Sequence, residues 1–187
     1  MTDATRKMLH SCNNPAMTNM EEDDEALIGR YARGDAAAFD QLYRRHELRV
    51  WRYLERNVRN QAASDDLLQE IWFAVARNAA SLESVTRFKT HLFTLAHDRM
   101  TDSLRARATN ASPAAAGRPA VPRDPANVLA QAIGQLPGEQ REAYLLQIEG
   151  QLSVGDIAEI TQSTVDTVQR RLHLARLKLQ ELLNEKT

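Results

Sequence analysis

Residues 109–126, TNASPAAAGRPAVPRDPA, hold four prolines, one glycine and almost no bulky apolar side chain. Proline fixes φ and lacks a backbone donor, so no regular helix or buried strand runs through such a stretch. It reads as a flexible Pro/Ala-rich linker, which splits the 187-residue chain into two pieces that each need their own core. On both sides of it, apolar residues recur at helical spacing. The expectation is an all-α protein of two small helical domains: an N-terminal helical bundle over 21–108 and a C-terminal helix-turn-helix domain over 127–187. Residues 1–20 show no periodicity and are expected to form a disordered arm; Met17 and Met20, just before the first ordered pattern, are alternative starts.

Within 21–108, Leu27, Ile28 and Tyr31 mark a short helix after the acidic run 21–25. Asp35 is the expected N-cap of a longer helix with the stripe Phe39, Leu42/Tyr43, His46, Val50, Tyr53/Leu54 and Val58. His46 has no second ligand-type residue at metal spacing and reads as a core-edge histidine. Ser64 or Asp65 is expected to cap DDLLQEIWFAVARNA, with Leu67, Leu68, Ile71, Trp72 and Val75 inward. The stretch 87–107 puts Leu92, Phe93, Ala96, Met100 and Leu104 on one helical face. His91, Thr94, Asp98, Thr101 and Arg105 lie opposite. Its five Lys/Arg against two Asp, taken alone, read first as an ordinary solvated face, with a nucleic-acid contact as the alternative.

Beyond the linker, Val128–Leu136 and 139–150 read as helices, with Leu145 and Leu146 buried. Ser153 is expected to cap a short helix, SVGDIAEI. After Thr161-Gln162-Ser163 a long helix begins near Thr164, with the stripe Val165, Val168, Leu172, Ala175, Leu179 and Leu182. Two helices joined by so short a turn form a helix-turn-helix, the second helix being the groove reader.

Composition narrows the function. Net charge is −1, and neither half is basic: 21–108 carries 14 cations against 15 anions, and 127–187 carries 6 against 8. Strong unaided nucleic-acid binding is therefore not expected, and DNA contact requires local patches or a partner. Cys12 is the single cysteine, which excludes an internal disulfide framework and any multi-cysteine metal site. No apolar run reaches membrane-spanning length, and the first 25 residues lack the apolar core of a secretory signal, so no membrane insertion and a cytoplasmic location are expected. The five histidines (10, 46, 91, 97 and 173) form no metal-binding pair, and neither catalysis, metal nor cofactor is expected.

Four segments together resemble the extracytoplasmic-function (ECF) sigma factors of bacterial RNA polymerase: DEALIGRYARGDAAAFDQLYRRH at 24–46, DDLLQEIWFAVARN at 65–78, RFKTHLFTLAHDRMTDSLR at 87–105, and LPGEQREAYLLQIEGQLSVGDIAEI with TVDTVQRRLHLAR at 136–176. The resemblance implies a promoter-specificity subunit whose partners are RNA polymerase core and promoter DNA, with an anti-sigma factor as a further candidate. Asp65, Asp66, Leu67, Gln69, Glu70 and Trp72 match the segment that docks on core polymerase. Arg87, Lys89, His91, Thr94, His97, Asp98, Arg99, Thr101 and Arg105 match the part that melts and reads the minus-ten element. Thr164, Asp166, Thr167, Gln169, Arg170, Arg171, His173, Arg176 and Lys178 match the minus-thirty-five reader.

The chain departs from the family pattern in places. Tryptophan is usual where His91 stands, and Arg-Asn where His97-Asp98 stands. Leu-Gly-hydrophobic is usual at Thr161-Gln162-Ser163, and a basic residue is common at Leu174. Asp98 repels phosphate yet accepts from an exocyclic amine, so an unusual minus-ten preference is expected. The competing reading is a stand-alone helix-turn-helix regulator with 21–108 as a sensor or dimerisation bundle. Such a regulator has no need of the docking segment at 65–78.

Overall fold

The computed structural model describes residues 22–82, 86–110 and 128–184. The expected arm at 1–20 and nearly all of the expected linker lie outside them. Among the described residues the chain is all-α, as expected: nine helices and no strand. In order they are α1 (Asp24–Ala32), α2 (Ala36–Val58), α3 (Gln61–Arg77), α4 (Ala79–Leu82), α5 (Phe88–Asn110), α6 (Val128–Gln135), α7 (Gly138–Ile148), α8 (Val154–Ile160) and α9 (Val165–Asn184).

Short polar side chains set the helix starts, because the first N–H groups of a helix lack internal partners. Asp23 accepts from the Ala26 amide at 2.6 Å, and Asp35 caps α2 through the Ala37 amide as predicted. α3 starts earlier than the sequence suggests. Arg59 turns the chain with φ of 56°, Asn60 accepts from the Ala63 amide at 2.9 Å, and the helix is under way by Gln61. Ser64 is thus no cap: it is fully buried and its hydroxyl donates to the Asn60 carbonyl. The alanines at 62 and 63 carry no periodic signal, which hid this first turn.

The first five helices close around Leu27, Ile28, Leu42, Tyr53, Leu54, Ile71, Phe88, Leu92 and Phe93, all fully buried. Asp24 ties α1 to α2 through Arg45 at 2.6 Å and His46 Nε2 at 2.7 Å. His46, 2 % exposed, is the core-edge histidine expected. Leu104 is the one misplaced residue of the α5 stripe: it is exposed, as α5 there runs past the bundle.

The last four helices bury Ala132, Ile133, Leu145, Leu146, Ile157, Val168, Leu172 and Ala175. Val165, expected on the α9 stripe, is instead exposed in the first turn. Ser153 and Asp156 form a reciprocal capping box at α8. Between α7 and α8 the backbone passes so close to itself that a Cβ on Gly150 would stand 2.5 Å from the Leu146 carbonyl oxygen and 3.0 Å from Leu152. The two groups of helices also meet, α2 packing against α6 and α7, and α5 against α8.

Candidate nucleic-acid and polymerase interface

Three helices present a polar face to solvent while their opposite faces fill the core. On α3, Asp65, Asp66, Gln69 and Glu70 are exposed, and Asp65 is held by the Trp51 indole N–H at 2.7 Å. Leu67 and Trp72, expected on the same docking patch, are buried at 6 % and 4 % exposure. Trp72 packs edge-on to Phe39, with ring centroids 5.6 Å apart, and against Tyr43 at 5.0 Å. It supports the patch from beneath. The aromatic surface of α3 is Phe73, 65 % exposed, which the sequence reading missed. The signal was available: Phe73 follows Asp66 by seven residues and Gln69 by four, so all three share one helical face.

On α5, His91, Asp98, Arg99 and Arg105 are exposed, and Thr94 and Thr101 are half-buried beside them. Both threonine hydroxyls donate back along the helix, Thr94 to the Thr90 carbonyl at 2.9 Å and Thr101 to the His97 carbonyl at 2.8 Å. Toward an outside ligand they offer acceptor lone pairs rather than a proton. Arg105 pairs loosely with Asp102 at 3.6 Å. Lys89 is half-buried at the start of the helix. Two members of the predicted set turn toward the second group of helices. Arg87 binds Asp156 and, at 2.7 Å, Glu159; His97 Nδ1 lies 2.7 Å from Glu142. The hydrogen bond to Glu142 outweighs burial and holds the His97 pKa above its ordinary value.

The α8–α9 pair is a helix-turn-helix in geometry. α8 ends in a Schellman motif: the Ser163 amide donates to the Ala158 carbonyl at 2.9 Å and the Gln162 amide to the Glu159 carbonyl at 3.2 Å. Gln162 occupies the left-handed position, φ 49°, where the family pattern has glycine. Thr164 caps α9 by accepting from the Thr167 amide, and the two hydroxyls bond each other at 2.8 Å. Asp166, Gln169, Arg170 and His173 are exposed along the next two turns. The other expected cations have protein partners. Arg171 pairs with Glu139 at 2.8 Å, Arg176 donates to Gln147 at 2.7 Å, and Lys178 pairs with Glu181 at 2.7 Å. Beyond them Leu174 and Leu177, both exposed, line a shallow groove with Gln135, Pro137 and Gln140.

Residues 42–109 match the family described as Sigma-70 region 2, and residues 126–179 match Sigma-70, region 4. RNA polymerase sigma factor CarQ of Myxococcus xanthus is 34 % identical over 166 residues, which cover 83 % of this chain and 95 % of CarQ. The chain belongs to the ECF sigma factors of RNA polymerase. ECF RNA polymerase sigma factor SigM of Mycobacterium tuberculosis (strain H37Rv) is 30 % identical, over 87 % of this sigma factor and 86 % of SigM. The fold also recurs in two solved structures. CnrH, solved with the cytosolic domain of CnrY, gives a TM-score of 0.64 at 22 % identity, over 88 % of this chain and 99 % of CnrH. The sigma factor RpoE of Bartonella quintana, solved with the anti-sigma factor NepR, gives 0.65 at 23 %, over 78 % and 96 %. None of the described helices of this sigma factor is long and apolar enough to cross a membrane.

Proposed function

We propose that this sigma factor docks on core RNA polymerase through the exposed face of α3, melts and reads the minus-ten element with α5, and reads the minus-thirty-five element with the N-terminal half of α9. The observation that carries this assignment is that three helices, each anchored by a buried stripe, expose polar faces of different chemistry. The face on α3 is acidic and amide-bearing around one aromatic, which suits a protein partner. The α5 face mixes imidazole, carboxylate and guanidinium, which suits the edges and backbone of unstacked bases. The α9 face opens on a helix N-terminus with Asp166, Gln169 and Arg170, which suits the major groove. Catalysis in this reading belongs to the polymerase, and the sigma factor acts in the cytoplasm. An anti-sigma factor is a further partner, in line with the complex of RpoE with the anti-sigma factor NepR. A stand-alone DNA-binding regulator fits less well, because neither half carries the net positive charge that unaided binding requires.

The test is reconstituted transcription from a promoter library with core polymerase. Gln69→Ala combined with Glu70→Ala is expected to weaken core binding while the bundle stays folded, since both side chains are exposed. Wild-type core affinity in that double variant refutes the docking assignment.

A further inference from the structure

Among the described residues of α6–α9 and their connections, nearly every charged side chain is held by another part of the protein. Glu139, Glu149 and Glu181 meet Arg171, Arg56 and Lys178; Glu142 meets His97; Asp156 and Glu159 meet Arg87. Arg176 donates to Gln147, and Arg141 to the Leu136 carbonyl at 3.3 Å. That leaves one carboxylate, Asp166, and two basic side chains, Arg170 and His173, without a protein partner. All three are exposed, and they stand at i, i+4 and i+7 of α9, with the exposed Gln169 at i+3. The unpaired groups of this part of the molecule therefore share one helical stripe. Asp166 and Arg170 even have the spacing of a helical ion pair, yet no such pair forms between them.

We propose that Asp166 is a specificity-determining residue that selects a cytosine in the upstream element, within about two base pairs of the pair met by Arg170. The inference rests on the assignment of α9 as the minus-thirty-five reader. An ionised carboxylate only accepts hydrogen bonds. In the major groove the donors are two, the N4 amine of cytosine and the N6 amine of adenine. Adenine carries its N7 acceptor beside the amine, where it faces the second carboxylate oxygen, whereas cytosine presents a C–H there. Guanine and thymine offer acceptors alone, and phosphate repels the charge. Cytosine is thus the one base edge that Asp166 meets without repulsion. The four-residue step from Asp166 to Arg170 is about 6 Å along the helix, close to two base steps of about 3.4 Å. A favourable charge at the helix start also accounts for an acid in the first turn, but that role carries no base preference, so experiment separates the two.

The test uses the full chain bound to core polymerase and a promoter library randomised across the upstream element, with the minus-ten element fixed. Wild type is expected to prefer cytosine over adenine at one position by about tenfold. Asp166→Asn supplies an amide that matches N6 and N7 of adenine, so the preference at that position should turn to adenine by a similar factor. Asp166→Ala should accept all four bases there about equally. Every other position should keep its wild-type preference in both variants, and circular dichroism checks that both are folded. Unchanged preferences in both Asp166 variants, with Arg170→Ala still altering one position, leave Asp166 a helix-end charge and overturn the proposal. So does a wild-type preference for any base other than cytosine at the position that responds. If Arg170→Ala and both Asp166 variants all keep the wild-type upstream preferences, the assignment of α9 itself has failed and the selection falls with it.

Discussion

Trp72 and Phe73 are neighbours in sequence with opposite fates, and exchanging each for a smaller residue should separate stability from binding. A tryptophan offers about 150–250 Å² for burial. At about 25 cal/mol per Å², burying nearly all of it is worth roughly 4–6 kcal/mol, in line with about 3–5 kcal/mol for Trp→Ala substitutions in cores. One feature lowers the figure for Trp72. Its indole N–H is buried without a hydrogen-bond partner, an arrangement that costs about 1–3 kcal/mol and disappears with the ring. Trp72→Ala is therefore expected near the low end, about 3 kcal/mol. Trp72→Phe keeps the contacts with Phe39 and Tyr43, loses the unpartnered donor, and should cost about 1 kcal/mol or less. Phe73→Ala should change stability by no more than about 0.5 kcal/mol, as for an ordinary surface position. It should nevertheless weaken core polymerase binding by about 2 kcal/mol, roughly thirtyfold, if Phe73 is the anchor of the docking face. Urea unfolding followed by circular dichroism gives the first quantity, and titration of labelled sigma factor with core polymerase gives the second. Wild-type core affinity in Phe73→Ala, or lost core binding in a fully folded Trp72→Phe, would refute this division of roles.

Three further outcomes are expected. Gln162→Gly should stabilise the protein by about 0.5–1 kcal/mol in urea unfolding, because relief of a left-handed residue worth about 1–2 kcal/mol exceeds the added chain entropy of glycine. The His97–Glu142 pair should favour contact between the two groups of helices at mildly acidic pH. A histidine whose folded pKa is raised contributes fully below its unfolded value near 6.5, and the contribution is lost as pH rises through the folded value, so scattering should show expansion on the alkaline side. Asp98 reinforces this shift, Arg105 opposes it, and Glu142→Gln should flatten the profile. Arg170→Ala should cost about 1–3 kcal/mol at one position of the upstream element in a promoter-library experiment, whereas Arg176→Ala should weaken all sequences alike and flatten the salt dependence.

Much of the fold was legible because helices write themselves as a 3.6-residue stripe. Asp35, Ser153 and the buried faces of α2, α5 and α9 were all found that way. The errors fall where that periodic signal is silent. The first turn of α3 is built of Gln-Ala-Ala and starts at a left-handed arginine, so no stripe announces it. Leu104 and Val165 continue their stripes in sequence, but α5 outruns its partners and α9 has not yet met its own. At the proposed docking face Trp72 was counted with the docking set although its own stripe turns it inward, while the seven-residue offset from Asp66 pointed to Phe73. No periodicity encodes which residues of one group of helices meet the other. Arg87 and His97 were therefore placed on the DNA face, with no sign that Asp156, Glu159 and Glu142 hold them.

The close approach at Gly150 makes one hydrogen atom an adjusting screw between two distant surfaces. α8 begins three residues after the turn that contains it, carries the acids that grip Arg87 and leads directly into α9. Any side chain at position 150 must push Leu146 and Leu152 apart, and the displacement would be passed to α8 as a change of angle. The hold on α5 and the aim of α9 would then shift together. Position 150 is thus where a single substitution, touching neither DNA nor polymerase, would retune both the seam between the two groups of helices and the register between the two proposed promoter contacts.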